Sequence, residues 1–128
     1  MILSDLALLR DDGVTTTTFK PLSNVKMLTK WQEDDLTIPV AERESISTQL
    51  RPASNNVKRK VTTKVNLPYR PASIDGITQP LKHVEFITYA NVPEDAPVAV
   101  IKDAAALAIA AQSDALIEDI YLNGRAPV

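Results

Sequence analysis

The chain has 128 residues and a mass of 14.0 kDa, which suits one domain with an ordinary core. Its hydrophobic fraction of 45% and charged fraction of 23% exclude long disorder. The absence of cysteine excludes disulfides, thiol catalysis and cysteine-held zinc or iron–sulfur sites, and a single histidine, His83, excludes a His-rich metal site.

Residues 2–9 and 14–20 flank Arg10-Asp11-Asp12-Gly13, a turn sequence with glycine last. Val14, the run Thr15 to Thr18 and Phe19 favour strand, so residues 1–20 are expected to form a β-hairpin. Leu3, Leu6, Leu8 and Leu9 leave a short helix open for the first arm. Residues 25–31 alternate roughly and predict a strand that carries Trp31, and Gln32 to Asp35 is a charged break.

Residues 44–51 alternate more cleanly, with Ile46, Thr48 and Leu50 against Ser45, Ser47, Gln49 and Arg51. Pro52 to Asn56 is turn chemistry. In residues 57–67, Val57, Arg59, Val61, Thr63, Val65 and Leu67 point one way. Lys58, Lys60, Thr62, Lys64 and Asn66 point the other. Residues 68–80 hold Pro68, Pro71, Gly76 and Pro80 and predict a long patternless loop. Residues 82–92 resume the alternation, with Val84, Phe86, Thr88, Ala90 and Val92 on one face and His83, Glu85, Ile87, Tyr89 and Asn91 on the other.

Pro93 ends the β region, and residues 95–123 predict two helices. The first, alanine-rich from Val98 to Ala111, breaks at Gln112-Ser113. Ser113 or Asp114 can cap the second, and Asn123-Gly124 stops it. Strands first and helices last is the α+β pattern: one domain over residues 1–128 with an antiparallel sheet of about five strands. Two short helices are thin cover for the sheet's apolar face. A dimer that lays each subunit's helices across its partner's sheet would complete that cover.

The net charge of −2 hides a segregation: residues 51–70 contain six basic residues and no acid. The other sheet face carries Ser47, Gln49, Arg51, Lys58, Lys60, Thr62, Lys64 and Tyr89. Lysines at two-residue spacing give phosphate contacts in a row, the hydroxyls and amides can reach bases or sugars, and Tyr89 could stack on an unpaired base. Alternating lysines are also the commonest way to solvate a sheet face; the acid-free stretch favours binding. Other chemistry finds little footing. Glu33-Asp34-Asp35 fits a solvated turn, and His83 has no nucleophile placed beside it. Glycine is too sparse for a phosphate loop. No catalytic residue, metal ligand or cofactor is assigned.

The stretch Lys58-Arg59-Lys60-Val61-Thr62-Thr63-Lys64-Val65-Asn66-Leu67-Pro68, with this order of elements and this length, resembles the coat proteins of single-stranded RNA bacteriophages, the levivirus-like family. The resemblance implies an intertwined homodimer that builds an icosahedral shell, usually T=3, around the genome. It also implies that the loop over residues 68–80 changes shape between contacts in the shell, and that the sheet binds an RNA stem-loop operator that governs translation and packaging. By position, Lys60, Thr62 and Lys64 on one strand and Ser47, Gln49 and Arg51 on the preceding one match the family's RNA face. The last strand departs from the pattern, with Glu85 and Ile87 where the family often has a stacking tyrosine and a polar residue. The expected location is the virion, assembled in a bacterial cytoplasm. The N-terminal residues lack the basic head of a secretory leader, and no apolar run is long enough to span a membrane. The alternative is a cellular dimeric β-sheet regulator that binds RNA or DNA.

Overall fold

The computed structural model describes residues 4–25, 27–52 and 58–124. Six strands form one sheet in sequence order: β1 (Leu6–Leu9), β2 (Thr16–Val25), β3 (Leu28–Glu33), β4 (Ser45–Arg51), β5 (Lys58–Tyr69) and β6 (Lys82–Pro93). Each pairing from β1 through β5 is antiparallel. Two helices follow, α1 (Val98–Ser113) and α2 (Ala115–Asn123). The chain divides into two compact units, residues 1–91 and 92–128. Among the described residues no helix is long and apolar enough to cross a membrane.

The first arm is strand, not helix: Leu6 pairs with Phe19 and Leu9 with Thr16. The turn between the arms is held by Asp12. Its carboxylate accepts from the Val14 and Thr15 amides at 2.9 and 2.8 Å and from the Thr15 hydroxyl. Gly13 sits at φ 71°, where a side chain is strained. The Thr15 hydrogen bond, followed by the two amides, holds the Asp12 carboxyl below the usual carboxylate range.

Several boundaries differ from the sequence expectation. β2 runs on to Val25 instead of ending near residue 20, with its register shifting between Pro21 and Ser23. The irregularity absorbs a proline that has no amide to donate. β3 begins at Leu28 because Met27 takes a left-handed turn conformation at φ 63°. The long loop narrows to residues 70–81 and is not patternless. Ile74 and Ile77 exchange two backbone hydrogen bonds, at 3.1 and 2.9 Å, around Asp75-Gly76 at φ 51° and 77°. Asp-Gly with two positive φ angles is the signature of a two-residue hairpin turn. The expected turn at Pro52 to Asn56 lies outside the described residues after Pro52, as do Met1 to Leu3, Lys26 and Val57.

The register sorts the side chains. Trp31 faces Ile46, and Ile46 faces Val65; Thr48 faces Thr63 and Leu50 faces Val61. Phe19, at 5% exposure, and Ile46, at 6%, are the buried apolar residues on this face. Trp31 also donates its indole N–H to the Ser4 carbonyl at 3.0 Å, tying the chain's start to β3. Arg10, at the base of the first hairpin, pairs with Glu44 just ahead of β4.

In the second unit, Asp114 caps α2 by accepting from the Leu116 amide at 2.9 Å. Gly124 ends it at φ 65°, with its amide on the Ile120 carbonyl at 2.8 Å. The Tyr121 hydroxyl donates to the Gln112 carbonyl at 2.9 Å, bracing α2 against the end of α1. Neither helix has a buried residue.

Candidate nucleic-acid interface

The polar face is built by the same register, one residue out of phase. Ser47 pairs with Lys64, Gln49 with Thr62 and Arg51 with Lys60. These six predicted residues therefore form three cross-strand pairs on β4 and β5. Lys58 continues the alternation at the exposed start of β5. Tyr89 joins them from β6: the Lys60 Nζ lies 4.4 Å from its ring centroid, a cation–π contact. All eight predicted residues thus belong to one face of one sheet.

β3 adds two side chains that the sequence pattern had not singled out. Lys30 pairs with Ser47, and Leu28 with Gln49. Lys30 is exposed, so a further cation stands in the row of Ser47 and Lys64. The signal was present: Trp31 anchors the apolar face, and its neighbour must point the other way.

The charges on this face are not equivalent. Lys64 Nζ lies 3.1 Å from Glu85 Oε1 on β6, both side chains about two-fifths exposed. Lys20, in the row of Gln32 and Ser45, pairs with Asp34 at 3.1 Å. The hydrogen bond and charge of Asp34 hold the Lys20 ammonium above its ordinary range. Lys60 packs on the Tyr89 ring, which carries no net charge to offset the ammonium. Asn66, beyond Lys64 on β5, has a buried side-chain oxygen without a hydrogen-bond partner.

The arrangement offers a sheet face with cations at Lys58, Lys60 and Lys64 of β5, interleaved with hydroxyl and amide groups. Such a surface can hold phosphates by charge and bases or sugars by hydrogen bonds. No group of three or more metal-ligating side chains occurs among the described residues.

No protein-family model matches the chain, and no curated protein matches it in sequence. Solved structures do match it over its whole length. The subunit of a virus-like particle of bacteriophage AVE019 superposes with a TM-score of 0.85 at 19% identity, covering all of both chains. A virus-like particle of bacteriophage NT-214 gives 0.80 at 18% identity, again over all of both chains. An unassembled coat protein dimer, titled a bacteriophage RNA-binding dimer, gives 0.60 at 16% identity over 98% of each chain. The fold of this chain is that of the coat proteins of levi-like RNA bacteriophages.

Proposed function

We propose that the chain is a structural capsid protein that dimerises, closes into an icosahedral shell around single-stranded RNA, and holds an RNA stem-loop on the polar face of its sheet. The observation that carries this reading is the end-to-end match to subunits of assembled virus-like particles.

The partner is a second copy. β6 stands at the end of the strand order, where an edge strand can pair with a strand of another copy. On α2, Leu116, Ile117, Ile120 and Tyr121 are exposed and form the stripe that a partner's surface would cover. The shell places the protein in the virion. Its polar face would meet the RNA through Lys30, Arg51, Lys58 and Lys60 at phosphates and Ser47, Gln49 and Thr62 at bases or sugars. Tyr89 would offer a ring for stacking.

Expression of the chain followed by electron microscopy and nucleic-acid extraction tests the reading. Closed shells that contain RNA are expected. Discrete dimers that bind nucleic acid but never close would instead fit a cellular regulator. For the polar face, Lys60→Ala should flatten the salt dependence of RNA affinity by about 0.7–0.9 for each subunit contacting the RNA. Thr62→Ala should change discrimination between hairpins and leave the slope nearly intact.

A further inference from the structure

One carboxylate interrupts the basic face. Register places Lys30, Ser47 and Lys64 in a single row across β3, β4 and β5, and Glu85 of β6 closes that row through its 3.1 Å contact with Lys64. The next contact between these two strands, Lys60 on Tyr89, joins a cation to a ring and leaves the charge in place. The face is therefore divided: Lys60 presents net positive charge, whereas Lys64 is paired.

We propose that Glu85 tunes the phosphate contacts of the polar face, withholding Lys64 from phosphate and confining the phosphate track to Lys30, Arg51, Lys58 and Lys60. This rests on the reading that RNA lies on this face. A phosphate that reached Lys64 would have to share the ammonium with the Glu85 carboxylate. Two anions on one cation repel, so a lysine already paired with a carboxylate neutralises little phosphate charge and releases few of the counterions condensed on the RNA. Both side chains are partly exposed, so the pair is weak enough to be altered without unfolding the sheet.

The measurement is RNA affinity across a salt series, using a short RNA hairpin and an unstructured RNA of equal length, with circular dichroism to verify folding. Glu85→Gln keeps the shape and removes the charge. It should tighten binding at low salt about threefold or more and steepen the salt slope by about 0.7–0.9 per contacting subunit. Lys64→Ala in the natural chain should leave the slope nearly unchanged. The same substitution in the Glu85→Gln background should remove the added steepness. If Glu85→Gln leaves both quantities unchanged, or weakens binding, while Lys60→Ala still flattens the slope, the role assigned to Glu85 is wrong and the RNA face stands. If neither substitution moves the slope, RNA lies elsewhere and both readings fall.

Discussion

Strands β1 to β5 and the segments that follow them differ in how far they satisfy themselves. In the first region, four antiparallel pairings run in register, and Phe19 and Ile46 are buried on one face. In β6, α1 and α2 most of the large apolar residues are exposed, among them Val84, Ile87, Leu107, Leu116 and Ile120. A monomeric soluble protein rarely keeps so much apolar surface in water. The difference separates two jobs. The early strands hold their own register, and on the proposed reading the later elements carry the surface that a second copy covers.

The sharpest way to break this comparison is to place a charge in the second region. Ile120→Asp would cost almost nothing if Ile120 faced water in the working protein, since exposed substitutions usually stay within about 0.5 kcal/mol. If a second copy covers it, an unpaired buried carboxylate costs about 3 kcal/mol or more, and dimers and shells should be lost together. Size-exclusion chromatography with light scattering reads the outcome.

A substitution in the first region should behave differently. Phe19→Ala removes a buried ring and should lower stability by about 3 kcal/mol. Denaturant unfolding should show that loss whether the protein is assembled into shells or held as free dimers. A loss seen only in the assembled form would mean that Phe19 serves an interface.

The loop between β5 and β6 joins the two regions. Arg70 holds its base by donating to the Gln79 carbonyl at 2.7 Å and pairing with Glu42 at 2.8 Å. Deletion of Ser73 to Thr78 removes the small hairpin at Asp75-Gly76 and spares that base. A folded dimer with altered or failed shell closure is expected, seen by circular dichroism and electron microscopy. Unchanged shells would remove the loop from assembly.

The smallest effect belongs to the Asp12 turn. Its carboxyl is held below its unfolded range, so its contribution is present above that range and lost as pH falls through the lowered value. Hydrogen exchange at the Val14 and Thr15 amides should therefore show less protection in Asp12→Ala than in the natural chain at neutral pH. The two should converge in strong acid. Equal protection at neutral pH would show that the turn does not depend on the carboxylate.

Much of this fold is written in short-range pattern. The alternation of Lys60-Val61-Thr62-Thr63-Lys64-Val65 is enough to orient β5, because a strand's period is two. Asp114 and Gly124 punctuate α2 as their chemistry dictates. What the pattern hides depends on pairing or on unusual backbone. Pro21 masks the continuation of β2, since a proline inside a strand is tolerated only where the ladder is disturbed. Met27 turns at a φ that methionine seldom adopts. Asp75-Gly76 did carry a hairpin signal, obscured by the prolines around it. On the polar face, composition showed which residues are basic, and the structure shows that Lys64 meets a carboxylate. Lys64 and Glu85 meet only because β5 and β6 are neighbours.

The most direct measurement is the mass of the folded chain in solution, by sedimentation equilibrium at micromolar and lower concentration, with shell-forming conditions avoided. A species of twice the chain mass that loses its secondary structure as it dissociates is the predicted result. A monomer that stays folded on dilution, with β6 and α2 exposed to water, would contradict it.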